Sequence, residues 1–220
     1  MLEQMLAILV ILAGYMAAVA INRRFPRMQP LFVAVVLVWL CWTAFGGEWD
    51  AFSSGGSWIS FWLGPATVAL AVPLAANIRQ FASIWRGVLL GVGAGCAIAL
   101  FSNLLIYWTI GFPKSVMLSM LSKSVTTPIS LELTRNIGGI PELAAFFTAL
   151  TGFLGAMMAP PVLRRAGISD DRAIGIAVGT SAHAIGTASL NRNSPVHTAS
   201  SSIAMIVAGV VTSLYLIPFQ

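Results

Sequence analysis

The sequence predicts an all-α protein, a polytopic transmembrane helical bundle, and three observations carry this prediction. Hydrophobic residues make up 58% of the 220 positions and charged residues only 9%, against about 25% charged in a soluble domain. The apolar residues come in long runs, and most basic residues fall in the short gaps between those runs. A soluble fold of this length needs far more polar surface to cover its core, so the composition excludes the soluble class.

Seven apolar runs approach the roughly 17–25 residues that a helix needs to cross a bilayer. In chain order they cover residues 5–21, 31–45, 61–76, 87–110, 143–163, 173–190 and 202–218. The first run exceeds the usual apolar core of a signal peptide, and arginines follow it instead of preceding it. We therefore expect a retained first span.

Three groups of arginines set the expected orientation of the spans. The groups are Arg23, Arg24 and Arg27; Arg79 and Arg86; and Arg164, Arg165 and Arg172. Cytoplasmic loops are enriched in basic residues, so we expect the N-terminus outside, seven crossings and the C-terminus inside. Because these arginines lie in loops and form no basic stripe interleaved with aromatic residues, nucleic-acid binding is not expected.

The segment 111–141 interrupts this pattern, since it is long, mildly polar and carries Lys114, Lys123, Glu132 and Arg135. It is expected to be either a re-entrant hairpin or one broken crossing. The choice between the two changes the number of spans by one.

A faint internal repeat is also present, because the ten residues that begin at Arg86 align without gaps with the ten that begin at Arg172. Chance and a true structural repeat both remain open from the sequence. A repeat would matter because transporters are often built from repeats, with the substrate bound at their interface. Within a single membrane domain, we treat residues 1–60 as N-terminal helices and residues 61–220 as the core.

The first candidate site is the polar stretch Lys123–Ser130, which lies between membrane-grade sequences. Pro128 lacks an amide donor and disfavours helix at the preceding residue, so the backbone is expected to unwind near Thr127. The hydroxyls and free amides of such a break can hold a carboxylate, whereas the alternative is a surface loop with an ordinary proline turn. The candidate residues are Lys123, Ser124, Thr126, Thr127 and Pro128.

The second candidate site is the stretch 179–187, which is made of small residues around one imidazole. Small residues let helices approach closely, so a packing face is one interpretation. An ionisable residue within a span is a functional candidate, and histidine titrates near neutral pH, which suits proton-linked movement of an acid. Both interpretations stay open for Gly179, Ser181, His183, Gly186 and Thr187. His197, by contrast, is expected to be solvated in the loop 191–198.

No catalytic set emerges from the sequence. It contains no GxSxG, HExxH or Walker motif, and its two histidines have no metal-ligand spacing. Only Lys123 beside Ser124 resembles part of an intramembrane enzyme site. We therefore expect neither an enzyme nor a bound cofactor or metal.

Four blocks, in order along the chain, resemble the LrgB/CidB family. They are LGPATVALAVPL from Leu63, KSVTTPI from Lys123, IGGIP from Ile137 and GTSAHAIGTA from Gly179. The resemblance runs from about residue 61 to the C-terminus, and the first sixty residues carry little that is diagnostic.

The resemblance implies two functions of different classes. Bacterial members of the family are described as modulators of murein hydrolase activity and lysis that act with a small holin-like partner of the LrgA/CidA type. Plant plastid members carry glycolate and glycerate, and some bacterial pairs are linked to pyruvate. This chain departs from many relatives in having no acidic residue between Thr187 and Ser202, so a substrate choice that depends on those acids does not carry over.

Our hypothesis is therefore a bacterial inner-membrane carrier of a small 2-hydroxy or 2-oxo monocarboxylate, working alone or with a proton. Lys123 would attract the anion, Ser124, Thr126 and Thr127 would bind its oxygens, and His183 would bind substrate or carry the proton. Gly179, Gly186 and Thr187 would allow close approach of broken helices. The alternative is a regulator of lysis that moves no metabolite, and homo-oligomer formation is left open.

Overall fold

Residues 2–25, 28, 30–69, 72, 75, 78–190 and 194–220 are described by a computed structural model of the chain. They are almost entirely helical and include no β-strand, which confirms the predicted all-α class. The helices are α1 (Leu2–Arg24), α2 (Pro30–Ala44), α3 (Trp49–Phe61), α4 (Leu63–Ala69), α5 (Ile78–Ile110), α6 (Lys114–Leu121), α7 (Thr127–Asn136), α8 (Pro141–Arg165), α9 (Asp171–Leu190) and α10 (Pro195–Tyr215), followed by a 3-10 turn at Ile217–Phe219.

Five helices, α1, α5, α8, α9 and α10, are long and apolar enough to cross a bilayer, and α2 is a shorter apolar helix. These six helices coincide with six of the seven predicted runs, which confirms a multi-span membrane protein. The remaining run, 61–76, is only partly described. Three predicted segments lie partly outside the described residues: the first arginine group, the run 61–76 and the loop 191–198. The residues concerned are 26, 27, 29, 70, 71, 73, 74, 76, 77 and 191–193.

The chain forms two compact units, Met1–Ala66 and Thr67–Gln220. In the first unit α1 packs against α2 and α3 at glycines. A Cβ atom on Gly14 would collide with Val38, and one on Gly55 would lie 2.7 Å from the Cβ of Ala7. Small residues give apolar helices this close approach. The second unit holds both candidate segments.

The segment 111–141 forms a re-entrant hairpin and not a broken crossing. Its arms are α6 and α7, joined by residues 122–126, and we call it hairpin 1. The Ile140 amide, just after the second arm, donates to Ser119 Oγ in the first arm at 2.7 Å. In one continuous crossing these residues would lie about 30 Å apart, at 1.5 Å of rise per residue. The chain therefore leaves hairpin 1 at the end where it entered.

The helix α9 is also folded back on itself, although it has the length and composition of a span. Its backbone leaves helical geometry at His183, with φ 40° and ψ −136°, and Leu190 packs against Val178 of the first arm. His197 Nε2, at the start of α10, lies 3.0 Å from Asp171 Oδ1, at the start of α9. A straight helix of 20 residues would separate its ends by about 30 Å. We call α9 hairpin 2.

The two hairpins enter the second unit from opposite ends. The helix α8 leads from hairpin 1 to hairpin 2, and its last turn carries Arg164 and Arg165; we call this side the arginine end. The helix α10 starts beside Asp171 at the arginine end. It finishes beside hairpin 1, where Leu216 joins a buried cluster that includes Met117 and Leu133. Hairpin 1 therefore enters from the far end and hairpin 2 from the arginine end.

This arrangement corrects two parts of the predicted topology. Residues 173–190 do not form one crossing, because the chain reverses at His183. The end of α10 therefore lies at the end opposite Arg164 and Arg165, and not on their side as predicted. The crossing helices of the described second unit are α5, α8 and α10.

A structural repeat is present, although it is not the one that the sequence alignment suggested. A crossing helix followed by a hairpin occurs twice, as α5 with hairpin 1 and as α8 with hairpin 2. Because each copy crosses once, the two copies are inverted relative to each other, as in many transporters. The aligned stretches from Arg86 and Arg172 differ in structure, since the first lies in the continuous α5 and the second in one arm of hairpin 2.

Candidate functional site

The two hairpins meet at one residue of α8. The Thr148 hydroxyl donates to Ser130 Oγ of hairpin 1 at 2.9 Å, and the Thr148 carbonyl oxygen lies 2.9 Å from His183 Nε2 at the tip of hairpin 2. A carbonyl oxygen can only accept, so His183 carries a proton on Nε2. All three side chains are buried.

Hairpin 1 is held by a network of buried hydroxyl groups. Ser122 Oγ lies 2.8 Å from Ser130 Oγ and 2.7 Å from Thr134 Oγ1, and Thr148 adds the link to α8. All four side chains are fully buried, and buried hydroxyls are costly unless they are paired. The network therefore satisfies these groups in apolar surroundings and ties the tip of hairpin 1 to α8.

His183 is the one non-glycine residue with a positive φ in the described part of the chain. This backbone conformation is usually taken by glycine, so the turn of hairpin 2 is strained and must be held by its surroundings. Gly152, one turn after Thr148 on α8, leaves the space for the imidazole. A Cβ atom on Gly152 would lie 2.7 Å from His183 Cε1 and 2.8 Å from Nε2.

Both arms of hairpin 2 form packing surfaces. The Thr187 hydroxyl donates to the His183 carbonyl oxygen at 2.7 Å and lies 2.8 Å from Ser201 Oγ of α10. A Cβ atom on Gly186 would lie 2.5 Å from the Cβ of Ala182, and one on Gly179 would collide with the backbone of Ser201. These glycines are therefore required by close helix approach.

A cavity of about 1160 Å³ lies in the second unit between α5, α8 and both hairpins. It extends from Asp170 and Arg172 at the arginine end to Lys123 and Ser124 at the tip of hairpin 1. Most of its lining is apolar or small, and the polar lining of the walls comes from hydroxyl groups: Ser102 of α5, Thr151 of α8, and Thr180 and Ser181 of hairpin 2.

Lys123 is the cation at the inner end of this cavity. It is partly buried, and no carboxylate or other hydrogen-bond partner is found for its ammonium group within the ranges that the structure describes. An unpaired cation away from bulk water is costly. The inner end of the cavity is therefore chemically suited to an anion.

The start of α7 follows Lys123 within a few residues of the chain and leaves further donors without partners, although it does not itself line the cavity. Thr126 is the N-cap residue, yet its side chain makes no capping bond, and its buried hydroxyl has no partner among the described residues. Pro128 occupies the first turn of α7, as predicted from the backbone break at Thr127. The first amides of a helix have no intrahelical acceptor and favour negative charge, so this terminus and Lys123 both favour an anion.

The hydroxyls of the cavity wall differ from these donors. Thr180 donates to the Ile176 carbonyl and Ser181 to the Ala177 carbonyl, each at 2.7 Å. Because their protons are engaged, these side chains offer only lone pairs to a ligand. The cavity thus has donors at its inner end and acceptors along one wall.

The structure separates the predicted site residues into two groups. Lys123, Ser124 and Ser181 line the cavity, with Thr126, Thr127 and Pro128 at the adjoining start of α7. His183, Gly186 and Thr187 belong instead to the packed junction of hairpin 2 with α8 and α10.

Sequence reasoning missed Thr148, and it did not single out the wall residue Thr180 within the stretch 179–187. Thr148 is a hydroxyl residue within an apolar run and gives no polar contrast of the kind that marks Lys123. A usable pattern is the spacing of Thr148 and Gly152, since a hydroxyl and a glycine one turn apart favour helix contact in membranes.

His197 is not solvated, which corrects the prediction for the loop 191–198. It is buried, it pairs with Asp171, and Ser194 Oγ donates to the other oxygen of that carboxylate at 2.9 Å. The reason is the fold-back of α9, which brings the start of α10 beside the start of hairpin 2.

Comparison with known proteins supplies the family. A model described as the LrgB-like family matches residues 11–220. An uncharacterized Bacillus subtilis (strain 168) protein, YxaC, is 30% identical over 98% of this chain and 96% of its own. A second uncharacterized B. subtilis protein, YwbG, is 35% identical over 90% and 89%. An uncharacterized Haemophilus influenzae protein is 33% identical over 94% and 90%. No solved structure matches the chain.

Proposed function

The chain belongs to the LrgB-like family, and from this premise we propose that it is a membrane carrier of small monocarboxylates and not an enzyme. The observation that carries the proposal is the unpaired Lys123 at the inner end of a cavity between two inverted hairpins. Carriers built from inverted repeats bind substrate near the bilayer midplane, where broken helices meet.

The donors at the inner end suit a carboxylate. In the proposal, Lys123 attracts the anion, and Ser124, Thr126 and the first amides of α7 bind its oxygens. Thr180 and Ser181 accept hydrogen bonds from bound water or from a hydroxyl group of the substrate. The volume of about 1160 Å³ exceeds that of a two- or three-carbon acid, so such an anion would enter with water.

His183 has a narrower role in this proposal than the sequence suggested. Its Nε2 proton is already donated to Thr148, so it holds the tip of hairpin 2 and does not bind the anion. If a proton accompanies the substrate, His183 would take it up on Nδ1, the acceptor nitrogen of this tautomer, while Nε2–H stays bonded to Thr148. We place the carrier in the bacterial inner membrane, with a small holin-like protein of the LrgA/CidA type as its partner.

The second candidate function is regulation of lysis and murein hydrolase activity without transport. The buried junction of Ser130, Thr148 and His183 favours it, because a transport path needs hydrated polar groups. The cavity with its unpaired cation favours the carrier more strongly, since a packed regulatory surface has no need of either.

The test is uptake of labelled glycolate, glycerate, pyruvate and lactate into proteoliposomes, with and without a pH gradient. The protein is assayed alone and with its holin-like partner. Saturable uptake whose Michaelis constant rises about tenfold or more in a Lys123→Gln variant would support the carrier. Absence of uptake from folded protein under every condition, with the partner present, would overturn the proposal and favour the regulator.

A further inference from the structure

A single turn of α8 contacts an arm of hairpin 1 and the tip of hairpin 2. Thr148 reaches hairpin 1 through its side chain and hairpin 2 through its backbone carbonyl. Gly152, at the other end of the same turn, provides the space in which the imidazole of His183 lies. The two links are chemically separate, so each can be removed without removing the other.

The link to hairpin 1 leads directly toward the cavity. Ser130 accepts from Thr148 and pairs in turn with Ser122. Ser122 is adjacent in the chain to Lys123, which lines the inner end of the cavity together with Ser124. Because these hydroxyls are fully buried, no water competes for their hydrogen bonds, and the position of the tip depends on them.

We propose that Thr148 is a positioning residue that fixes the tip of hairpin 1 against hairpin 2 and so sets the access of the cavity to Lys123. It does not touch the substrate. The expected effect of Thr148 on uptake rests on the proposed carrier function. Its expected effect on the accessibility of the tip of hairpin 1 does not.

The variant Thr148→Val isolates the link to hairpin 1. Valine has nearly the shape of threonine and leaves the backbone carbonyl for His183 in place, and Ser130 keeps its bond to Ser122. Thr148→Ser retains the hydroxyl and is the matched control. An effect that Thr148→Val shows and Thr148→Ser does not is therefore due to loss of the hydrogen bond and not to a change in packing.

The first experiment measures the accessibility of the tip. In a chain with Cys41→Ala and Cys96→Ala, Ser124→Cys is modified with a water-soluble thiol reagent in detergent. Adding Thr148→Val should raise the modification rate about fivefold, the factor expected for loss of one typical buried hydrogen bond. Adding Thr148→Ser should leave the modification rate of the cysteine at position 124 unchanged. For a control cysteine at the exposed Ser53, neither Thr148→Val nor Thr148→Ser should change the modification rate.

The second experiment is a double-mutant cycle on the Michaelis constant for uptake. If Thr148 acts through Ser130, then Thr148→Val, Ser130→Ala and the double variant should raise the constant by similar factors, without additivity. Additive effects, or an unchanged modification rate in Thr148→Val, would overturn the positioning role. Faster modification with no uptake by any variant or by the parent would support the role and reject the carrier.

Discussion

Lys123 and His183 are both ionisable residues within membrane-grade sequence, yet the fold gives them different surroundings. Lys123 faces a cavity, whereas the ring of His183 fills the space left by Gly152 on α8. The sequence identified both residues because their burial is costly. It could not separate their roles, because the separation depends on which residue of a distant helix lies opposite each one.

Replacing Lys123 tests the anion site at the scale of one residue. Lys123→Gln should raise the Michaelis constant for uptake about tenfold or more, because a hydrogen bond to a charged group contributes about 1.5–3 kcal/mol. Lys114→Gln, which removes an exposed cation at the start of α6, is the control and should change little. Equal effects of the two substitutions would mean that only general charge matters.

Adding one methyl group at Gly152 tests whether the ring of His183 occupies the space beside this glycine. Gly152→Ala should destabilise the protein by about 1–3 kcal/mol, the usual result of overpacking a filled site. The measurement is thermal unfolding in detergent, with Gly56→Ala as control because that position has open space around it. A neutral Gly152→Ala variant would show that the ring does not occupy this site.

Among the elements, the sequence predicted one backbone break and missed the other. The break before α7 was predictable because Pro128 lacks an amide donor and is tolerated in a helix only in its first turn. The break in α9 occurs at His183, which neither proline nor glycine marks, and α9 keeps the apolar composition of a span. Its reversal depends on close packing against α8 and α10, which a pattern of apolar residues does not encode.

The fold-back of α9 predicts a specific crosslink. In a chain lacking Cys41 and Cys96, the pair Asp171→Cys and His197→Cys should be joined by a short bifunctional thiol reagent, because these side chains contact each other. The control pair combines Asp171→Cys with Tyr215→Cys at the far end of α10. Crosslinking of the control pair alone would show that α9 crosses the membrane completely.

For the whole molecule, the composition predicted the membrane class and the helical fold. It did not predict the side of the membrane on which α10 ends. A prediction that counts apolar runs assigns one crossing to each run. A single run that folds back therefore reverses the predicted orientation of every later helix. The excess of basic residues at Arg164 and Arg165 still predicts that this end is cytoplasmic.

Labelling of single cysteines from one side of the membrane tests this topology. Ser169→Cys and Gln220→Cys should react from opposite sides, because hairpin 2 adds no crossing between them and α10 adds one. An impermeant reagent applied to intact and to opened cells makes the comparison. Reaction from the same side would mean that α9 and α10 both cross.

Hairpin 2 has a consequence for how the protein is made. Residues 171–190 are long and apolar enough for the insertion machinery to treat them as a membrane segment while α10 is still unsynthesised. The groups that close hairpin 2, among them His197 and Ser201, belong to α10. The hairpin can therefore gain these contacts only after α10 has been synthesised, so we expect its final packing to be a late step of folding.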